Sequence, residues 1–139
     1  MPRPELTADC AACAALCCVV YPLDASEAFA HAKPAGVPCR HLGPGGRCGI
    51  HHQLVERGYP GCAAYDCFGA GQRATGMFAG VPGSERLRAH VFLKLREVHA
   101  LLRLTDSPRL SAALEALAEG PLDALLEANL QELWRCEME

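Results

Sequence analysis

Thiol groups are concentrated in the first half of this chain, where eight of its nine cysteines fall within fifty-eight residues. Thiolates are strong ligands for zinc and for iron–sulfur clusters. Cys10 and Cys13 have the two-residue gap that lets one tight turn offer both sulfurs to one ion. The spacing therefore predicts metal coordination, and the predicted ligands are Cys10, Cys13, Cys17, Cys18, Cys39, Cys48, Cys62 and Cys67.

The adjacent cysteines Cys17 and Cys18 restrict how the metal is held. Neighbouring side chains leave the backbone in different directions, so both sulfurs reach one tetrahedral ion only with strain. Each sulfur fits better if it serves a different metal, or if one ligates while the other packs. Eight thiolates suffice for two four-sulfur sites or for one larger shared cluster.

Histidines provide further donors near these cysteines. His41 follows Cys39 closely, and His51 and His52 follow Cys48. Because imidazole is a common metal ligand, mixed Cys/His sites are an alternative to all-sulfur ones. The ninth thiol, Cys136, stands far from the others in sequence, and we expect it on a helix face outside the metal site.

A disulfide framework is the main alternative for so many cysteines, and it requires an oxidising compartment. The N-terminal residues, Met1-Pro2-Arg3-Pro4-Glu5, do not resemble the start of a secretory signal, and cysteines interrupt the apolar stretch at 11–23. No apolar run approaches membrane-spanning length. We therefore expect a cytoplasmic protein, without membrane contact, in which the thiols stay reduced.

The elements that must position these residues divide the chain into three parts. Residues 1–72 form the predicted metal-binding module, 73–83 a linker and 84–139 a helical segment. The module is rich in proline and glycine, which punctuate regular structure, and it has no strand-like alternation. Short helices are predicted near 7–19, 25–32 and 51–57. A segment this rich in loops lacks a continuous apolar face, so metal must help to organise it.

The helical segment shows apolar residues at three- and four-residue steps, beginning with Leu87 and Val91. Pro108 marks a second helix start and Gly120-Pro121 a third. The sequence thus predicts a mainly α protein, in which the loop-rich module packs against a C-terminal segment resembling a three-helix bundle. The apolar stripes predict a core or a surface for a protein partner or a second copy of the chain.

The cysteine pattern resembles that of the YkgJ-type cysteine cluster proteins, also described as the CxxCxxCC putative zinc- or iron-chelating domain. The matching runs are Cys10-x-x-Cys13, Cys17-Cys18, Pro38-Cys39-x-His41-Leu42, Gly46-Arg47-Cys48-x-Ile50-His51 and Arg57-Gly58-x-x-Gly61-Cys62. Here three residues rather than two precede Cys17, and His51 and Gly58 replace the usual Tyr and Pro. Residues 8–72 also resemble the N-terminal region of actinobacterial pentapeptide-repeat proteins, although this chain has no such repeats. The first resemblance implies binding of zinc or iron, including iron–sulfur clusters, and no particular reaction.

Three functions agree with these observations. The favoured one is a non-enzymatic interaction module with structural zinc. The second is an iron–sulfur protein for redox sensing or electron transfer. The third is an iron-dependent enzyme or maturation factor, for which His51, His52 and Glu56 are the available donors beside an open position. Nucleic-acid binding is not expected, because the net charge is -3 and acidic residues intersperse the basic residues of 86–103, which predict a solvated helix face.

Overall fold

The computed structural model describes residues 4–138 and confirms a mainly helical, loop-rich chain with a packed helical C-terminal part. Residues 1–3, which begin the N-terminal run that does not resemble a secretory signal, lie outside the described range. The helices are α1 (Leu16–Val19), α2 (Pro60–Ala64), α3 (Ala70–Met77), α4 (Glu85–Leu104), α5 (Pro108–Glu119), α6 (Leu122–Glu127) and α7 (Leu130–Met138). Short 3-10 turns lie at Pro4–Leu6, Cys10–Ala12, Pro44–Gly46 and His51–Gln53. In the described part of the chain, every helix is too short or too polar to cross a bilayer.

Helix α4 lies at the centre of the fold and contacts α3, α5 and α6. Its residues Val91, Leu95, Val98 and Leu102 recur at three- and four-residue steps and are buried. Such spacing places them on one face of the helix, where they form the middle of the hydrophobic core. The sequence-predicted stripe is therefore a core stripe.

Helix α5 begins where the sequence predicts. The Ser107 side chain accepts a hydrogen bond of 3.1 Å from the Leu110 backbone N–H, and Pro108 occupies the first turn. This cap satisfies one of the N–H groups that a helix start leaves without an intrahelical partner. Leu110 and Leu114 are fully buried against the rest of the core.

The third predicted helix of this segment is divided into α6 and α7. Ala128 is extended between them, with φ of -62° and ψ of 136°. The Asn129 side chain accepts a hydrogen bond from the Glu132 N–H at 3.0 Å, and Lys94 donates to the Ala128 carbonyl at 2.5 Å. A new cap at Asn129 and a cation on the Ala128 carbonyl thus separate two helices that periodicity alone joins.

Helix α3 occupies part of the segment in which the sequence indicated a linker over 73–83. Ala70 and Ala74 are fully buried against α4 because their small side chains allow the two helix backbones to approach. The exposed glycine Gly76 does not prevent this helix, since tertiary contacts outweigh its low propensity. The irregular connection is confined to the turns between α3 and α4.

The cysteine-rich half has less helix than the sequence indicated. Ala15 adopts a left-handed conformation with φ of 58°, which separates the 3-10 turn at Cys10–Ala12 from α1. The helix expected over 25–32 is absent: these described residues form a loop closed by an isolated antiparallel bridge between Leu23 and Lys33. The Lys33 amino group donates to the backbone carbonyls of Val19, Tyr21 and Pro34, which fixes the base of this loop.

One hydrophobic core joins the two halves of the chain. Leu6, Leu16 and Val20 belong to the same buried cluster as the helices α3 to α7. By contrast, residues 23–64, here called the outer lobe, contain just three buried apolar side chains among the described residues, Leu23, Ile50 and Tyr59, and these lie outside that cluster. The outer lobe is therefore the part of the fold with the weakest apolar support.

Candidate metal centre

The first group of cysteines lies where the N-terminal turn meets α3. Cys10 and Cys13 share one 3-10 turn, in which the Cys13 N–H donates to the Cys10 carbonyl at 3.4 Å. The sulfurs of Cys13 and Cys67 lie 2.7 and 3.6 Å from the point that a Cβ atom on Gly71 would occupy. Cys67, which is distant in sequence, thus meets the turn that carries Cys10 and Cys13 beside the first turn of α3.

Backbone and side-chain hydrogen bonds hold this turn on α3. The Ala14 N–H donates to the Thr75 hydroxyl at 2.9 Å. The Gln72 amide bridges the same segment, accepting from the Asp9 N–H at 3.2 Å and donating to the Thr7 carbonyl at 2.7 Å. Because both partners in α3 are one turn apart, the helix positions the Cys10 and Cys13 turn from two points.

The second group of cysteines begins at α1 and continues into the outer lobe. The Cys39 N–H donates to the Cys18 carbonyl at 2.8 Å, so these two residues are backbone neighbours. Leu42 and Cys48 form an isolated antiparallel bridge, and the Leu42 N–H donates to the Cys39 carbonyl at 3.0 Å. The turn over 39–48 therefore brings Cys39 and Cys48 to the side of Cys18.

Cys62 reaches the same region from α2. The Gly61 N–H donates to the Ala28 carbonyl at 3.0 Å, which attaches the start of α2 to the loop of the outer lobe. Burial, followed by repulsion from Cys39, Cys17 and Cys48, raises the pKa of the Cys62 thiol to about 11. The Cys62 thiol is therefore protonated at neutral pH.

The adjacent pair Cys17 and Cys18 has an internal hydrogen bond with unequal consequences. Donation by the Cys18 thiol, with help from backbone N–H groups, lowers the pKa of Cys17 to about 7. The same hydrogen bond, together with burial and repulsion from Cys17, Cys48 and Cys39, raises the pKa of Cys18. Of the two thiols, Cys17 therefore ionises at the lower pH, with Cys18 as its hydrogen-bond donor.

Cys10, in the first group, has a raised pKa, as Cys62 has in the second group. Burial raises the pKa of the Cys10 thiol, and repulsion from Cys17, Cys67 and Cys13 adds to this effect. Cys17 therefore acts electrostatically on both groups, on Cys10 in one and on Cys62 in the other.

As the side chains stand, no three His, Cys, Asp or Glu side chains within residues 4–138 converge closely enough to hold one ion. All nine thiols are free, and each of the eight in the cysteine-rich half lies near others of its group. The backbone hydrogen bonds described above hold the segments that carry these cysteines against one another. The donor type and number fit zinc or an iron–sulfur cluster.

The predicted histidine candidates differ in their surroundings. His51 and His52 are exposed on the turn at His51–Gln53. His41 is half-buried, and its Nε2 atom lies 3.1 Å from the Tyr59 hydroxyl. Cys136 is exposed on α7, where the sequence led us to expect it.

His31 and Tyr59 were not predicted from the sequence, because neither belongs to the spacing pattern of the cysteines. Both are buried, and the Tyr59 hydroxyl is hydrogen-bonded to His31 Nδ1 as well as to His41. The three rings pack edge to face, with centroids 5.2 to 6.0 Å apart. Burial, with the nearby cations of Arg40 and Lys33 and the His41 ring, lowers the pKa of His31. This aromatic cluster ties α2 to the turn over 39–48, beside the second cysteine group.

The loop that carries Cys67 is held in an unusual backbone conformation. Phe68 has φ of 53°, which is uncommon for a bulky side chain. The Asp66 carboxylate accepts from the Phe68 N–H at 2.8 Å, and the buried His99 donates from Nδ1 to the Phe68 carbonyl at 2.7 Å. His99 Nε2 in turn accepts from Arg73 at 3.1 Å. Helices α3 and α4 thus position the Cys67 loop.

Two arginines of α4 also contact this loop. The Arg96 guanidinium lies 5.5 and 5.0 Å from the ring centroids of Tyr65 and Phe68, and Arg103 lies 5.1 Å from Phe68. Arg96 Nε donates to the Asp66 carbonyl at 3.2 Å. The sequence predicted a solvated face for these arginines, but here they contact the 65–68 segment, because that segment lies close to α4.

Comparison with known proteins adds one similarity. No family model matches the chain, and no solved structure matches it. The chain is similar to the uncharacterized protein YybG of Bacillus subtilis (strain 168), with 49% identity over 71 residues, which are 51% of this chain and 25% of that protein. The chain thus spans about a quarter of the length of the curated relative it matches.

Proposed function

We propose that this chain is a non-enzymatic interaction module whose cysteine-rich half is stabilised by zinc bound to its cysteines. One observation carries the proposal: the outer lobe contains Cys39, Cys48 and Cys62 but has, among its described residues, only three buried apolar side chains, Leu23, Ile50 and Tyr59, and these lie outside the main core. Ordering each residue of a lobe costs about 1–2 kcal/mol of backbone entropy, whereas burying one such side chain contributes about 1.5–3 kcal/mol. Structural zinc contributes about 10–16 kcal/mol in small domains.

The grouping of the cysteines supports the same proposal. Free cysteines that served only as small apolar residues have no reason to gather in two places. Here burial and mutual repulsion raise the pKa of Cys10 and Cys62, an arrangement that disfavours ionised thiolates in the absence of a cation. A divalent ion offsets that repulsion because it holds the sulfurs as thiolates. The resemblance of the cysteine spacing to the YkgJ-type cluster is a further support.

The proposal includes a reducing compartment, such as the cytoplasm, because only reduced thiols bind zinc. It also assigns the contact with a protein partner or a second copy to the helical part. The apolar side chains Leu87, Leu93 and Leu104 of α4 are exposed, Leu104 to 72%. Light scattering of the purified protein at several concentrations tests self-association. If the protein is a monomer at every concentration, the second copy is excluded and the partner is a different protein.

Anaerobic purification followed by metal and sulfide analysis tests the proposed cofactor. We expect a colourless protein that contains zinc, and we expect a strong chelator to reduce its helical circular dichroism and expose the outer lobe to protease. A brown protein with iron and labile sulfide selects the iron–sulfur function instead. Iron without sulfide selects the iron-dependent enzyme or maturation factor. A protein that holds no ion and keeps its fold in chelator overturns all three.

A further inference from the structure

We propose that the eight clustered cysteines hold two separate ions, with the adjacent cysteines Cys17 and Cys18 belonging to different ones. The inner site consists of Cys10, Cys13, Cys17 and Cys67, and the outer site of Cys18, Cys39, Cys48 and Cys62. This inference rests on the proposed function, since it specifies how the metal is divided.

The inner site lies beside the first turn of α3. Cys13 and Cys67 both face the space left by Gly71, with their sulfurs 2.7 and 3.6 Å from the missing Cβ position. Cys10 is in the same turn as Cys13, so its sulfur is available on the same side by the usual two-residue arrangement. A closed structural zinc site takes four ligands, so a fourth thiol is needed beside these three.

Backbone contacts of the outer lobe bring together the cysteines of the outer site. Cys39 is hydrogen-bonded to the Cys18 carbonyl at 2.8 Å, and the bridge between Leu42 and Cys48 returns the chain to Cys39. Cys62 follows Tyr59, whose hydroxyl is bound to His41 in the same turn. Four thiols are thus gathered without Cys17.

Helix α1 separates the two sites. Consecutive side chains of an α-helix point about 100° apart, so the sulfurs of Cys17 and Cys18 leave α1 in different directions. Leu16 and Val20 are buried in the hydrophobic core, so one face of α1 packs on that core. At about 100° per residue, Cys18 points away from this face and toward the outer lobe, whereas Cys17 stays nearer the core face, on the side of the inner group. Since a closed structural zinc site takes four ligands, Cys17 completes the inner site.

The two ions then have different structural roles. The inner ion joins the N-terminal turn to α3 and therefore to the hydrophobic core. The outer ion closes a lobe that has few buried apolar side chains of its own. Loss of the outer ion is expected to unfold residues 23–64, whereas loss of the inner ion loosens the turn around Cys10.

Cadmium-113 NMR of the intact protein tests this division, because cadmium replaces zinc at thiolate sites and carries a nuclear spin. We expect two cadmium signals, each correlated with the β-protons of four cysteines, and Cys17 and Cys18 correlated with different signals. One signal, two signals that split each other through a bridging sulfur, or both adjacent cysteines on one ion would overturn the division. No bound cadmium at all would instead overturn the proposed function.

Cysteine variants give a second test by native mass spectrometry of the zinc-loaded chain. We expect Cys13→Ser and Cys48→Ser each to reduce the bound zinc from two ions to one, and Cys136→Ser to keep both. Loss of both ions from Cys13→Ser, with the outer lobe still protected from protease, contradicts independent sites. The NMR measurement uses the unmodified chain and so decides the question even if a variant fails to fold.

Discussion

The sulfur of Cys13 lies 2.7 Å from the position that a Cβ atom on Gly71 would occupy. Real Cβ atoms do not approach other heavy atoms that closely, so a side chain at residue 71 would force the Cys13 sulfur to move. The sulfur of Cys67 lies 3.6 Å from the same point. A single glycine therefore makes room for two thiols that are 54 positions apart in the chain.

Replacing Gly71 with alanine is expected to destabilise the protein by about 1–3 kcal/mol, because the new methyl group displaces the Cys13 sulfur. Urea denaturation followed by circular dichroism measures this loss. The proposed function adds that the variant binds zinc less tightly, which competition with a coloured chelator measures.

Gly76 in the same helix is the matched control, since a Cβ atom there meets nothing within 4 Å. The substitution Gly76→Ala is expected to leave stability unchanged or to raise it by about 0.5–1 kcal/mol, as alanine favours the helix. Equal losses at both positions would show that α3, and not the packing of Cys13, is sensitive to the change.

The low pKa of Cys17, about 7, predicts a selective reaction in the metal-free, reduced protein. A group with a lowered pKa is ionised above that value, so Cys17 is half thiolate near pH 7, whereas the raised pKa values of Cys18 and Cys62 keep them protonated there. Brief treatment with iodoacetamide from pH 5 to 9, with peptide mass spectrometry, is expected to give half-maximal modification of Cys17 near pH 7.

The variant Cys18→Ala checks the cause of that low pKa. Without the Cys18 thiol as donor, the midpoint for Cys17 is expected to move upward toward that of an ordinary thiol, about 8.5. An unchanged midpoint would mean that the backbone N–H groups alone hold the thiolate.

The variant Tyr59→Phe removes a buried hydroxyl that serves two histidines. A phenol has one proton, so it donates to one imidazole and accepts from the other. Its loss leaves His31, which is buried, without that partner, and we expect a destabilisation of about 1–3 kcal/mol. Hydrogen exchange is expected to increase over the outer lobe and not in α4, which serves as the internal control. Uniform acceleration along the chain would contradict a local role.

The variant Arg96→Ala tests the contact between α4 and the Cys67 loop. It removes a guanidinium that lies over the rings of Tyr65 and Phe68 and donates to the Asp66 carbonyl. We expect a loss of about 1–2 kcal/mol, measured by thermal unfolding. Arg86→Ala on the exposed side of the same helix is expected to change stability by less than about 0.5 kcal/mol. Similar losses for both variants would support the solvated helix face that the sequence indicated.

Local patterns predicted the regular parts of the helical half. The three- and four-residue steps of α4 and the Ser107-Pro108 start of α5 depend on neighbours along the chain, so the sequence alone is sufficient for them. The break at Ala128 was missed because the apolar periodicity continues through the local cap at Asn129, and because Lys94, which reaches the Ala128 carbonyl, lies 34 positions earlier. Helix α3 was missed because its stability comes from burial of Ala70 and Ala74 against α4.

The same contrast holds for the candidate site. The sequence by itself determined which groups are available, since eight clustered thiols and their spacing can be counted along the chain. It also predicts that the side chains of Cys17 and Cys18 leave the backbone in different directions, because that follows from local backbone geometry. Only the tertiary structure decided that Cys13 meets Cys67 at Gly71, that Cys18 meets Cys39, and that Tyr59 joins His31 to His41. Those meetings depend on the path of the chain between distant residues, and that path is set by the packing of the whole core, which no local spacing encodes.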